Sequence, residues 1–238
     1  KFNNDFSVFG GIHKGFSPPG NQDGQESEES VNYELGTRFN LGKLTGEFVG
    51  FFNDYSNLLG SDLAATGGTG SLEQFNAGEV NVNGIEVLLN YNLAKEGSKI
   101  SMPISFGYTF TNSEFQNSFD SSDGLWGTVA VGDEMPYIPK HQFNAALSLE
   151  YSSFEINLNA RYNGEFRTLA GTGNISENEK VSSNFIVDIS GKYYVNKKLR
   201  LTANIINLLD NTYAVSRVPA GLRPGHPFGL YAGAEFSF

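Results

Sequence analysis

The sequence predicts an all-β protein, an antiparallel transmembrane β-barrel wall, and three observations point there. Segments of the chain alternate apolar and polar residues with period two, the connections between them alternate between short and long, and the final segment ends on an aromatic residue. That ending is the most telling of the three. Phe228, Leu230, Ala232, Ala234, Phe236 and Phe238 fall on one face of an extended strand, and Gly229, Tyr231, Gly233, Glu235 and Ser237 fall on the other. The first face suits lipid and the second a polar interior. With 28 glycines, 20 phenylalanines and 11 tyrosines among 238 residues, composition favours twisted, aromatic-rich strands over helices.

Ten segments carry the alternation, starting with residues 5–16. In 30–41, Tyr33, Leu35 and Phe39 oppose Asn32, Glu34, Gly36 and Arg38, and 43–54 follows after a tight turn. In 80–93 one parity is Ile85, Val87, Leu89, Tyr91 and Leu93. In 99–111, Ile100, Met102, Ile104, Phe106, Tyr108 and Phe110 face away from Ser101, Ser105, Gly107 and Thr109. Residues 140–151 present Phe143, Ala145, Leu147, Leu149 and Tyr151. In 154–166, Phe154, Ile156, Leu158, Ala160 and Tyr162 oppose Glu155, Asn157, Asn159 and Arg161. The next two repeat the pattern. In 182–194, Phe185, Val187 and Ile189 oppose Asp188 and Ser190, and in 198–208, Leu199, Leu201, Ala203 and Ile205 oppose Arg200, Thr202 and Asn204. Residues 227–238 complete the series.

Parity alone does not separate a membrane barrel from a soluble sandwich, because either has one polar face; lengths and connections do. Eleven residues at about 3.4 Å each, tilted by about 45°, cover roughly 26 Å along the membrane normal. Short connections centre on 41–43, 94–98, 152–153 and 195–197, while residues 17–29, 55–79, 112–139, 167–181 and 209–226 form long ones. A spanning barrel has tight periplasmic turns on one side and large external loops on the other. With Phe238 ending on the turn side, residues 17–29 are expected outside. No second domain and no fixed-period repeat beyond the hairpins is expected.

Mean hydropathy is slightly negative and no run approaches the roughly eighteen apolar residues of a membrane helix, so membrane insertion requires strands. The net charge of −10 argues against nucleic acid, whose binding needs a basic face. The absence of cysteine excludes disulfides and thiolate metal sites. The chain starts at Lys1 with no signal segment before it, so a processed or truncated chain is expected.

Several stretches resemble TonB-dependent outer-membrane receptors, active importers of ferric siderophores and other scarce nutrients. They are Gly15-Phe16-Ser17-Pro18-Pro19 with the Glu-rich run and Asn32-Tyr33-Glu34-Leu35-Gly36; Phe51-Phe52-Asn53-Asp54-Tyr55-Ser56-Asn57; Val82-Asn83-Gly84-Ile85-Glu86; Tyr137-Ile138-Pro139-Lys140-His141; and Asn207-Leu208-Leu209-Asp210-Asn211-Thr212-Tyr213, leading to Pro224-Gly225-His226-Pro227. The Phe-Phe-Asn-Asp-Tyr and Pro-Ala-Gly-Leu-Arg-Pro-Gly stretches look most like the ferric-citrate branch. The resemblance implies ten strands of a barrel of twenty-two, with an amino-terminal plug and TonB box that this chain does not contain. It also implies that assembly machinery reads the strand end at Phe238. Physical reasons accompany the match: Asp210-Asn211 tolerates a left-handed turn, and Pro224 and Pro227 withhold donors where the last strand begins.

His13, His141 and His226 lie on distant strands without convergent ligands, so no metal site is expected, and no Ser, His and acid set appears at a readable spacing. Asp23, Glu26, Glu28 and Glu29, and Glu114, Asp120, Asp123, Asp133 and Glu134, fall in long connections, where solvated charge is the favoured reading over cation bridges to lipopolysaccharide. Arginine offers a planar fork of donors suited to carboxylates, and an iron chelate of the citrate type is anionic. Arg161, Arg167, Arg217 and Arg223, with Trp126, Tyr213 and His226, are therefore the candidate ligand-binding residues. Arg161 equally suits ion pairing with Glu155, Glu165 or Asp188.

The function expected is TonB-dependent import of a ferric siderophore or similar nutrient across the outer membrane of a Gram-negative bacterium. It involves no enzymatic step and no covalent cofactor, and the ferric chelate is cargo. Expected partners are outer-membrane lipid and lipopolysaccharide, the TonB complex through the plug, and the rest of the barrel. A self-contained ten-stranded passive pore or adhesion barrel is the alternative, and an outer-membrane hydrolase is a third.

Overall fold

Ten long strands form one antiparallel sheet in the computed structural model, which describes residues 5–19, 26–61, 74–76, 78–120, 127–217 and 221–237. They are β1 (Phe6–Ser17), β2 (Glu28–Leu41), β3 (Leu44–Ser56), β4 (Val80–Asn92), β5 (Pro103–Phe115), β6 (His141–Tyr151), β7 (Phe154–Asn163), β8 (Asn184–Tyr194), β9 (Leu199–Ile206) and β10 (Gly229–Phe236). Each pairs with the next in sequence, so β1 and β10 end the order. Among the described residues no ladder joins those two edges, and the self-contained ten-stranded closed barrel weighed from the sequence is not formed here.

The register carries the alternation across the whole sheet. Leu44 sits opposite Tyr91, then Ile104, Leu147, Leu158, Ile189, Ile205 and Leu230 follow, one per strand, as a single apolar row. On the opposite face Ser148, Asn157, Ser190, Asn204 and Tyr231 line up in the same way. A one-residue slip in any ladder would exchange the two faces. The polar face binds itself together with opposed charges: Arg38 with Glu47, Lys192 with Glu155 at 2.9 Å, and Arg200 with Glu235. Between them the Ser148 hydroxyl donates to Asn157 Oδ1 at 2.6 Å.

Nothing among the described residues covers the apolar face. Ile12, Leu35 and Leu230 are 71%, 67% and 65% exposed, and among the described residues the buried hydrophobic set is Phe115, Val80, Val129, Val181 and Ile186. A soluble sandwich would bury this face against a second sheet about 10 Å away, and among the described residues none covers it. Aromatic rows border the face instead. Tyr151, Phe154 and Tyr193 line up near the short turns, and Phe143, Tyr162 and Phe185 near the long connections. On β6, β7 and β8 the two rows stand eight residues apart, as do Phe228 and Phe236 around β10. Eight residues tilted by about 40° span roughly 21 Å, close to the apolar band of a membrane barrel.

Tight turns join strand pairs at one end. Gly42 (φ +71°) reverses the chain between β2 and β3, and Ser152 (φ +53°) does so between β6 and β7. At the other end the sequence reading changes. The long connections contain short hairpins, pairing Leu59–Ser61 with Gln74–Asn76, Phe119–Asp120 with Thr128–Val129, Phe166–Arg167 with Lys180–Val181, and Ala214–Ser216 with Arg223–Pro224. These strands are two or three residues long and leave no periodic signal. The segment expected at 99–111 is interrupted at Met102: Ile100–Ser101 pairs with β6 alone, and Pro103, which has no N–H, resumes the strand. Phe238 lies outside the described residues.

The facing of the strands sets a measurable difference. Leu158→Arg should cost about 2–4 kcal/mol in folding titrations into lipid, and Asn157→Leu much less. A harmless Leu158→Arg would show that the apolar face is not the lipid face.

Candidate ligand vestibule at the long-loop end

Three long connections are locked to one another before any ligand is considered. Arg167 follows β7, is buried, and spends its guanidinium on Glu134 Oε2 (3.1 Å) and the Gly173 carbonyl (3.1 Å). Glu134 comes from the β5–β6 connection; its other oxygen accepts from Lys140 at 2.7 Å, and its backbone bridges to Gly171. Burial alone would raise the Glu134 pKa, but the hydrogen bonds from Lys140 and Arg167 outweigh it and hold the carboxyl below the ordinary range. Tyr137, at φ +63°, donates its N–H to the Arg167 carbonyl at 2.8 Å and packs its ring on Phe166. A non-glycine residue in the left-handed region is held there by its surroundings, here a hydrogen bond and a ring contact. Arg217 joins the third connection, donating to the carbonyls of Lys180 (3.0 Å) and Glu177 (2.9 Å).

Beneath this layer the connection also packs inward. Val80, Phe115 and Val129 form a fully buried cluster at the long-loop ends of β4 and β5, with the partly buried Phe119, Met135 and Ala170 packed against it.

A second knot forms where β9 ends. Asn207 adopts φ +53° and is fully buried with its side-chain polar atoms partnered. Its Nδ2 donates to the carbonyls of Asn211 (2.9 Å) and His226 (3.0 Å), and its Oδ1 accepts from the Asn211 N–H (3.0 Å). Its own N–H donates to Asp188 Oδ1 at 2.8 Å, while Asp188 Oδ2 accepts from Arg161 at 2.6 Å. Asp210, also left-handed, accepts from the Phe228 N–H at 3.2 Å. This run of Asx side chains therefore turns the chain from β9 into the last connection and ties it to β8 and the approach to β10.

Around that knot the sheet gathers Arg161, Tyr213 and His226. The Arg161 guanidinium meets the Tyr213 hydroxyl as well as Asp188, and the Tyr213 ring fills the space a side chain would need at Gly225. Next to Gly225, His226 shares its Nε2 with the Tyr231 hydroxyl at 3.0 Å. Arg223 is half-buried in the hairpin opposite Ser216, and no partner of its guanidinium is found among the described residues. Arg167 and Arg217 are not brought into this group, since their donors go to loop carbonyls and Glu134. Trp126 lies outside the described residues.

Of the acidic residues read as solvated loop charge, Glu26, Glu29, Glu114 and Asp120 are exposed, and several also find a partner. Glu28 accepts from the Leu59 N–H (2.9 Å), Glu26 from Asn57 (3.0 Å), and Glu29 pairs with Lys14 (2.8 Å). Glu114 accepts from Asn112 at 3.0 Å and Asp133 from the Ala130 N–H at 2.9 Å. Apart from Asn112, two residues from Glu114, these partners are distant in sequence or are backbone groups, which charge patterning does not reveal. Asp23 and Asp123 fall outside the described residues. No cluster that would hold a metal ion occurs among the described residues.

A family model described as TonB dependent receptor-like, beta-barrel matches residues 1–208. The ferric enterobactin receptor of Pseudomonas aeruginosa is 27% identical over 209 residues, covering 79% of this chain and 25% of the receptor. The chain thus spans about a quarter of that relative's length. Among solved structures, the closed form of the ferric-catecholate import receptor Fiu from E. coli K12 superposes with a TM-score of 0.73 at 18% identity, over 100% of this chain and 34% of Fiu. The ferric citrate transporter FecA gives 0.71 at 18% identity, over 99% and 36% of the two chains. The copper transporter OprC gives 0.71 at 16% identity, over 99% and 37%. At these identities the likeness is one of fold, and a copper transporter among the neighbours shows that this fold does not fix the cargo.

Removing the Glu134 carboxylate should release the loops. Glu134→Ala should weaken the staple by about 2 kcal/mol and speed exchange of the Tyr137 amide by roughly thirtyfold. The pH dependence has a defined sign: a carboxyl depressed in the folded state contributes fully above its unfolded pKa of about 4.3 and loses that contribution as pH falls through its lower folded pKa. Exchange at Tyr137 should therefore be flat from neutral pH down to about pH 5, once corrected for intrinsic rates, and rise below about pH 4.

Proposed function

The chain belongs to the TonB-dependent receptor-like β-barrel family, and we propose that it forms a ten-strand wall of an outer-membrane receptor that imports an anionic ferric chelate. One observation carries this reading. A single apolar face runs uncovered across ten strands in chain order, while the opposite face carries the paired charges and most of the polar residues, and a spanning wall has a use for both at once. The strand edges of β1 and β10 support a larger barrel, since an edge exposed to hydrocarbon leaves N–H and C=O groups with no partner. In this reading the rest of the barrel closes on both edges, a plug fills the lumen, and TonB supplies energy through that plug. No bond of the cargo is made or broken.

The ligand meets the wall at its long-loop end. Arg223 supplies a guanidinium whose donors have no partner among the described residues; Tyr213 and His226 supply aromatic rings; Arg161 is engaged with Asp188. Trp126 belongs to the same proposed set through its place in the long connection after β5. The relatives named above support iron as cargo, since Fiu, FecA and the P. aeruginosa receptor are all named for ferric ligands.

Uptake of radioactive iron as ferric citrate and as ferric enterobactin, by cells producing the intact receptor, tests the proposal. Wild-type uptake of one of them should require TonB. Arg223→Ala should weaken its binding by about tenfold, the loss of one charged hydrogen-bonding group at about 1.5 kcal/mol. Uptake that persists without TonB would favour the passive pore, and full affinity in the Arg223→Ala, Tyr213→Ala double variant would move the ligand off this wall.

A further inference from the structure

The hairpin that carries Arg223 is too short to hold itself. Ala214 pairs with Pro224 and Ser216 with Arg223, and Val215 bulges out between them. One of these two pairs runs through a proline, which has no N–H, and even a longer two-stranded hairpin is barely stable alone in water. The next residue fixes it. Arg217 follows Ser216 and reaches across to the connection between β7 and β8, where its Nε donates to the Lys180 carbonyl at 3.0 Å and its Nη2 to the Glu177 carbonyl at 2.9 Å.

Those two acceptors belong to a turn that is itself tied down. The Glu179 N–H donates to the Ser176 carbonyl at 2.9 Å, and the Ser176 hydroxyl to a Glu179 carboxylate oxygen at 2.8 Å. Thr168, buried just after β7, donates its N–H (2.9 Å) and its hydroxyl (3.0 Å) to the Glu179 carbonyl. Lys180 stands opposite Arg167, whose guanidinium reaches Glu134. Arg217 thus fastens the hairpin to the stapled layer, and the Tyr137 hydroxyl, 3.5 Å from Ser216 Oγ, approaches it from a second connection. Two donors of a planar fork fix orientation as well as distance, which a single ammonium does not.

We propose that Arg217 is a positioning residue of the ligand site: it does not touch the anion, and its fork holds the hairpin so that Arg223, paired with Ser216, is presented in one place. The proposal rests on the reading of Arg223 as the group that meets the anion. It gives the two arginines of one hairpin separate tasks, since the donors of Arg217 are committed to carbonyls and those of Arg223 have no partner among the described residues.

The test uses the intact receptor, with ferric citrate and ferric enterobactin as probes and a spin label at Val215→Cys, a position 51% exposed and the only cysteine this chain would then carry. Arg217→Lys keeps the charge and loses the fork. It should speed the motion of the label in the absence of any chelate, and weaken binding of whichever chelate the receptor takes by about tenfold, the cost of ordering a released arm. In an Arg223→Gln background the same change should cause no further loss of affinity, because no guanidinium remains to be presented. A loss multiplied onto that of Arg223→Gln would show that Arg217 meets the ligand itself and would overturn the proposal, as would unchanged label motion in Arg217→Lys. If Arg217→Lys does not reach a heat-modifiable, inserted form, wild type decides: phenylglyoxal should modify Arg223 and spare Arg217, and equal modification of both would sink the clamp. A wild type that binds neither chelate would overturn the reading of the vestibule, and label motion would then still decide the role of Arg217.

Discussion

Satisfaction of the backbone inside hydrocarbon is the constraint on which everything else here depends. Lipid offers neither donors nor acceptors, so each N–H and C=O of a spanning segment must find its partner on a neighbouring strand. The ladders meet this demand from β1 to β10 without a crossover, and the price appears at the two edges. Once the ladder fixes register, parity follows automatically: every apolar residue of Ile104, Leu147, Leu158 and Ile189 faces the same way because pairing leaves no alternative. The long apolar rows therefore result from hydrogen bonding as much as from hydrophobicity.

The polar face solves a different problem. Charges inside a wall are costly unless paired, and the ladder places Lys192 opposite Glu155, Arg200 opposite Glu235 and Arg38 opposite Glu47, where cross-strand attraction acts over the shortest path. At the long-loop end the ladder stops, and side chains assume its role. Arg167 and Asn207 do there what N–H groups do below: Arg167 donates to the Gly173 carbonyl across its own connection, and Asn207 to the carbonyls of Asn211 and of His226 ahead of β10. That accounts for burial of an arginine and an asparagine in a protein whose hydrophobic residues are largely exposed.

The ten strands were legible in the sequence because a period of two persists over ten residues or more and needs no knowledge of partners. Boundaries erred by up to four residues, as at β5, and by two at the end of β9, which stops at Ile206 because Asn207 turns left-handed. The resemblance to a receptor family, read from short loop and strand motifs, agrees with the family match over residues 1–208. What the sequence did not show was long-range pairing. Nothing near Arg167 announces Glu134, 33 residues away, and a guanidinium in a long loop reads as ligand-ready until its partners are known. The signal that could have been used lay in Asn207-Leu208-Leu209-Asp210-Asn211: three Asx residues within five, directly after a strand, indicate a left-handed reversal held by side chains.

Asp188 shows how wall and loops are joined into one system. One of its oxygens accepts from the Asn207 backbone that starts the last connection, and the other from Arg161 on the inner face. An anion arriving at Arg161 competes with Asp188 for the same fork of donors. Any gain from the ligand is reduced by the contact it displaces, and a displaced carboxylate would in turn loosen Arg161 from the β9 reversal. Arg223 has no such competitor among the described residues. In the proposed reading the two arginines would divide the work by position, the one in the last connection meeting the anion and the one in the wall keeping the polar face coherent. Nearness to a ligand path and freedom to bind are different properties, and the carboxylate beside an arginine decides which of them it has.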